Sequence, residues 1–195
     1  MARKANFNRD DKLLEAMDLF WRKGYASTAI SDLVDELKIN RFSLYNTFGD
    51  KQQLYYEALE MYLTSISFPS LGDVSQPDAS LTELEAFLNH FAKIQRERSC
   101  GCFMQNALIE HAGDDDEVLE KGNRLFDHLL EVLTNTIDNG QKNQQITTTI
   151  SASALAKLVL NQMQGMRVMG KTKRYDDLEI ALQTLLALIK LEPRQ

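Results

Sequence analysis

The segment "KINRFSLYNTF", residues 38–48, gathers Lys38, Asn40, Arg41, Ser43, Tyr45 and Asn46 into one short run. These side chains can hydrogen-bond to nucleic acid. Arginine pairs with guanine edges and asparagine with adenine edges in the major groove, while hydroxyl and ammonium groups hold phosphate oxygens. Leu44 and Phe48 are four residues apart, so on a helix they share one face. That face can seat the segment against Leu33 and Leu37 of a preceding helix. Two short helices joined by a tight turn, the second presenting its N-terminal residues outward, form a unit that reads the major groove. Tyr45, Thr28 and Lys51 are candidates for phosphate contacts, and backbone N–H groups at the helix starts near Thr28 and Asp50 also suit an anion. The same residues equally describe a helical hairpin of a bundle with a solvated polar face.

The elements that would position this segment are helical. Only 9 glycines and 3 prolines interrupt 195 residues, and 44% of the residues are hydrophobic, which favours long helices around a sizeable core over a many-turned β architecture. The spacing predicts a first helix over 8–23, capped by Asn8 and ended by Gly24, with Leu13, Leu14, Met17, Phe20 and Trp21 inward. A second helix starts at Ser27 or Thr28 and buries Ile30, Leu33, Val34 and Leu37. "RFSLYNTF" is a third, stopped by Gly49. Asp50 caps a connecting helix over about 50–66, with Leu54, Ala58, Met61 and Tyr62 inward. A loop over 68–80 carries Pro69 and Pro77. Five more helices follow, over 81–98, 102–112, 115–139, 151–170 and 175–191. The expectation is an all-α chain of about nine helices, with a three-helix head at 1–50 and a helical regulatory and dimerisation body at 51–195.

Charge is distributed unevenly. The net charge is −6, but residues 1–51 carry +1 and the remainder −7. The cations Arg3, Lys4, Arg9, Lys38, Arg41 and Lys51 can gather on one face of an otherwise acidic protein. No apolar run reaches the length of a membrane span, and the N-terminus has no apolar stretch behind its charges. A cytoplasmic chain with no membrane association is expected. Cys100 and Cys102 are too close for an ordinary disulfide and are expected as thiols. With three scattered histidines and no ligand spacing, neither a metal site nor a cofactor is expected.

Residues 14–62, "LEAMDLFWRKGYASTAISDLVDELKINRFSLYNTFGDKQQLYYEALEMY", resemble the N-terminal domain of the TetR family of bacterial transcriptional regulators. The resemblance is carried by Ala16, Leu19 and Phe20 before Gly24-Tyr25, then by Thr28, Ile30, Ile39, Leu44-Tyr45, Phe48, Lys51, Leu54 and Ala58. It implies a homodimer whose two heads occupy successive major grooves of a palindromic double-stranded operator, about 34–36 Å apart. By position, Thr28, Tyr45 and Lys51 would contact phosphates, and Arg41, Phe42, Ser43 and Asn46 would face bases. Phe42 stands where the family commonly has a small residue, and Asn46 where it commonly has an aromatic. Phe42 either touches a thymine methyl or packs within the protein.

The resemblance also implies a body that binds a small molecule, whose occupancy releases DNA, with repression the commoner mode. Candidate pocket residues are Phe87, Phe91, Cys102, Phe103, Met104, Leu108, His111, Phe126, Leu130, Met163, Met166 and Met169; for each, ordinary core is the competing assignment. Glu110 and His111 either orient a polar ligand group or face solvent. A Gly-Cys-hydrophobic start to the helix at 102 resembles family members that sense oxidants or electrophiles. Cys102 at a helix start behind Arg96 and Arg98 fits a reactive thiol, and a small buried hydrophobe equally. The last two helices are expected to form a four-helix dimer seam through Leu155, Leu158, Val159, Met163, Leu178, Leu182, Leu185, Leu186 and Ile189, with a core wholly within the chain as the competing assignment. An enzyme or a non-DNA-binding interaction module is the remaining class, but no catalytic motif supports an enzyme. "GDDDE", 113–117, is expected to cap a helix.

Overall fold

The computed structural model describes residues 7–97, 101–111 and 113–191. Cys100, Arg98, Arg3 and Lys4 lie outside the described residues. Among those described, the order is α1 (Arg9–Lys23), α2 (Ile30–Leu37), α3 (Arg41–Phe48), α4 (Lys51–Tyr62), a π-helical turn (Leu63–Ser67), a 3-10 segment (Pro69–Ser75), α5 (Leu81–Glu97), α6 (Phe103–His111), α7 (Asp116–Lys142), α8 (Ala152–Lys171) and α9 (Tyr175–Ile189). The chain is all-α, as the periodicity predicts. The one extended pairing among these residues is an isolated antiparallel bridge between Ile146 and Lys190. Contacts divide the chain into two compact units, Met1–Pro69 with Cys102–Asn123, and Ser70–Gly101 with Arg124–Gln195.

The first unit is built on α1 and α4. Asn8 accepts the Asp10 N–H, the acidic residues Asp10 and Asp11 sit in the first turn, and Arg22 and Lys23 in the last, matching the helix dipole at both ends. Leu13, Ala16, Met17, Leu19 and Phe20 are buried. Leu14 is exposed instead, because a face holding 13, 16, 17 and 20 leaves position 14 about 100° away. Gly24 closes α1 at φ 81°, and its N–H reaches the Phe20 carbonyl at 2.8 Å. From α4, Leu54, Tyr55, Ala58, Leu59 and Tyr62 point inward; Met61 is only half-buried. Phe103, Met104 and Ala107 of α6 complete this core.

In the second unit α5, α8 and α9 pack together. The helical break expected after residue 139 does not occur there: α7 continues to Lys142. Gly140 stays inside it because the Ile146 side chain occupies the place a Cβ would take, 2.6 Å away. A closer approach occurs at Gly170, where a Cβ would lie 2.7 Å from the Gln95 carbonyl oxygen. Because that neighbour is backbone it cannot rotate aside. Gly170→Ala is therefore expected to lower stability by about 1–3 kcal/mol through overpacking. Gly165, with nothing within 4 Å of the same position, should gain up to about 1 kcal/mol from helix propensity in the same exchange. Urea unfolding midpoints that move in the same direction for both variants would contradict this account.

Candidate nucleic-acid interface

α3 is a two-turn helix set by its caps and two anchors. The Asn40 side chain accepts the Ser43 N–H at 2.8 Å, and the Gly49 N–H closes the other end on the Tyr45 carbonyl at 2.9 Å. Leu44 and Phe48 are buried, as are Leu33 and Leu37 of α2, against which α3 packs. At about 100° per residue, the line opposite Leu44 and Phe48 runs through Phe42 and Asn46. Phe42 is 77% exposed and Tyr45 40% exposed. Tyr45 flanks that line on one side; Arg41, exposed at the start of the helix, lies further round toward Phe48, with its guanidinium carbon 5.9 Å from the Tyr45 ring centroid. Ser43 lies on the other side, half-buried. Lys38 is exposed in the left-handed conformation, φ 52°, that turns the chain from α2 into α3.

Other sequence-predicted residues are placed differently. Thr28 is fully buried and its hydroxyl donates to the Gly24 carbonyl at 2.6 Å, so it neither caps α2 nor presents its side chain to a phosphate. The N-cap is Ala29, whose N–H is accepted by the Asp32 carboxylate at 2.8 Å. Asp32 thus closes the helix start from within, and a short polar residue at 28 is free to turn inward. Lys51 is half-buried, its ammonium 4.1 Å from the centroid of the Tyr25 ring. Burial pushes its pKa down, against the opposing pull of Glu110 and Asp32. Arg9 does not join a cationic face: it pairs with Glu57 at 2.5 Å and covers the Phe48 ring.

The turn that enters α2 is gripped by α6. The Glu110 carboxylate accepts the Tyr25 N–H at 2.9 Å and the Ala26 N–H at 2.7 Å. Beside it the Tyr25 ring lies 4.7 Å from Tyr55 and 5.4 Å from His111. Tyr56 donates to Asp115 at 2.7 Å; burial and that carboxylate push its phenol pKa up to about 12. Glu110 therefore acts as a cap for amides 84 and 85 positions away, not as a ligand-orienting or idle surface group. No local signal announces such a contact.

The candidate pocket residues fall in different units. Cys102, Phe103, Met104, Leu108 and His111 belong to the first; Phe87, Phe91, Phe126, Leu130, Met163, Met166 and Met169 belong to the second. Phe103 is a core residue, with its ring 5.7 Å from Tyr55 and from Tyr62 and 6.4 Å from Trp21. Leu108 fills the space over Gly122. Phe91 lies under the Arg167 guanidinium at 5.2 Å. Cys102 is buried, accepts the Tyr62 hydroxyl at 3.3 Å and stands at the N-cap of α6, with its carbonyl receiving the Asn106 N–H. An open cleft of about 480 Å³ in the second unit is lined by Val74–Pro77 and by positions of α7 from His128 to Lys142, polar except for Val132. None of the predicted pocket residues lines it. Among the described residues no group of three or more His, Cys, Asp or Glu is placed to hold a metal ion, and no helix is long and apolar enough to cross a membrane.

The expected dimer residues need correction. Leu155, Val159, Met163, Leu178, Leu182, Leu185, Leu186 and Ile189 are all buried within the chain itself. The apolar side chains left exposed on these helices are Leu158 and Val168 of α8, and Ile180 and Leu188 of α9, followed by Leu191. They recur at helical spacing on one side of each helix, with Gly165 between the two on α8. A helix apolar on most sides has one face for its own core and one that is uncovered.

Family comparisons agree with this geometry. The family described as "Bacterial regulatory proteins, tetR family" matches residues 13–58. The family "Tetracyclin repressor-like, C-terminal domain" matches residues 80–185, more than half of the chain. The chain is 29% identical over 168 residues to the uncharacterized HTH-type transcriptional regulator YezE of Bacillus subtilis, covering 83% of this chain and 84% of that one. It is 25% identical over 173 residues to the HTH-type transcriptional repressor ComR of Escherichia coli, covering 85% and 80%. A solved structure of a cysteine mutant of the TetR family regulator CifR, complexed with 26-bp double-strand operator DNA, superposes with a TM-score of 0.80 at 21% identity over 96% of this chain and 100% of that one. With an all-α fold and family matches over residues 13–58 and 80–185, the chain belongs to the TetR family of DNA-binding transcriptional regulators.

Proposed function

We propose that the chain is a repressor that binds a palindromic operator as a homodimer and is released by a small molecule held in its helical body. The observation that carries the DNA-reading part is the exposure of Arg41, Phe42, Tyr45 and Asn46 on α3, with Phe42 and Asn46 opposite two buried anchors. In this reading residues 1–50 read DNA and residues 51–195 regulate and dimerise. Repression is supported by the similarity to ComR, and operator binding by the likeness to CifR. A repressor of this kind works in the cytoplasm, where its operator is. Its family is one of non-enzymatic regulators, so no catalytic role is assigned.

Homodimerisation is supported by the uncovered apolar side of α8 and α9. A twofold seam uses the same patch on both copies, and Leu158, Val168, Ile180 and Leu188 provide one. For release, the burial of Cys102 and its use as the α6 cap favour a small-molecule effector over oxidation of that thiol. If oxidant releases wild type and the Cys102→Ser variant alike, gating by this sulfur is excluded; if only wild type responds, the thiol is the gate.

The test is selection of genomic fragments on the purified chain under reducing conditions. It should recover a palindrome with half-sites about one helical turn apart, bound with an affinity that falls steeply with salt. Recovery of no shared site by folded protein would contradict the proposal. On the recovered site, Arg41→Ala should cost about 1–3 kcal/mol, concentrated at one base position, whereas Tyr45→Phe should weaken all sequences to a similar degree. Equal losses on operator and random DNA for Arg41→Ala would remove it from the base-reading set.

A further inference from the structure

Phe42 has the greatest exposure of the large hydrophobic residues described, 77%, although it sits on the first turn of a well-capped helix. Nothing in its own chain explains an aromatic ring there. Leu44 and Phe48 already supply the anchor, and the Phe42 ring points from the opposite side of α3. Its neighbours, Asn46 along the same line and Arg41 next to it in the chain, are polar and exposed. The ring therefore stands among hydrogen-bonding groups at the end of the helix that meets base edges.

The major-groove edges of the four bases carry donors and acceptors, and one apolar substituent, the C5-methyl of thymine. A phenyl ring cannot satisfy donors or acceptors, and covering them without a partner is unfavourable. Against a methyl group the same ring removes apolar surface from water on both sides. We propose that Phe42 is a specificity-determining residue that reads a thymine methyl in each operator half-site. The inference rests on the DNA-reading function above and adds the base type that this position selects.

The experiment uses the full chain and the operator duplex recovered by selection. Each thymine of a half-site is replaced in turn by deoxyuridine, which differs only by the missing methyl, and binding is measured by fluorescence anisotropy for wild type and Phe42→Ala. For wild type, one thymine per half-site should show a loss of about fourfold, and of about fifteenfold when both half-sites are changed, as expected for one buried carbon group each. Phe42→Ala, with unchanged circular dichroism and melting, should bind thymine and deoxyuridine duplexes equally. Wild-type binding that is insensitive to every methyl overturns the inference, as does methyl dependence that persists in Phe42→Ala. A selection that recovers no site overturns the DNA-reading function and this inference together.

Discussion

If the proposed homodimer forms through the uncovered side of α8 and α9, Leu188→Lys separates it into folded monomers and carries affinity for the selected operator down by about three orders of magnitude or more, toward the non-specific level. Leu188 is 71% exposed on α9, so the isolated chain loses little when it is replaced; surface substitutions typically stay within about 0.5 kcal/mol. The dimer is affected differently. A twofold seam places the same change on both copies, and burying an ammonium without a partner carries a heavy desolvation penalty. Once monomeric, each head holds only one half-site and the second contact is no longer intramolecular. Sedimentation velocity, circular dichroism and anisotropy on one preparation check all three parts. A Leu188→Lys protein that sediments as a dimer would place the seam elsewhere. The buried neighbours are the contrast: Leu182→Lys or Leu186→Lys should unfold the chain, because both side chains lie in its own core.

Phe103→Ala is expected to destabilise the chain by about 3–5 kcal/mol, the range for emptying a buried aromatic site. For a chain of this size that lowers the melting temperature by about 6–20 °C. Phe103 is 1% exposed and its ring meets Trp21, Tyr55 and Tyr62, which links α6 to α1 and α4. The outcome distinguishes core from effector pocket. A pocket wall replaced by alanine would alter the response to ligand with little change in melting. A core residue lowers melting whether ligand is present or not. A melting shift under about 2 °C would return Phe103 to the pocket.

Much of the fold was legible in the sequence because helical periodicity and caps are local. The limits of α3 between Asn40 and Gly49, and the anchoring of Leu44 and Phe48, follow from residues within one turn of each other. The failures share a cause. On α9 nearly every side is apolar, and periodicity cannot tell which side the chain's own core covers. Leu182 and Leu188 look alike in sequence; only tertiary contacts make one buried and the other exposed. Thr28 reads as a helix cap until Asp32, four residues on, takes the cap from inside the helix. Gly140 reads as a stop until Ile146 is seen to need its space. The Glu110 grip on Tyr25 and Ala26 joins residues too far apart for any pattern.

That grip limits how the protein can be cut and recombined. A fragment ending at residue 50 holds the whole of α3, yet it leaves the Tyr25 and Ala26 amides without their carboxylate and the Phe20 and Tyr25 rings without Tyr55. A chimeric regulator made by joining such a fragment to a foreign body would inherit an unsupported turn at the entrance to α2. Grafting that carries residues 102–123 along with the first 69 would keep the turn, its brace and its aromatic backing as one transplantable piece.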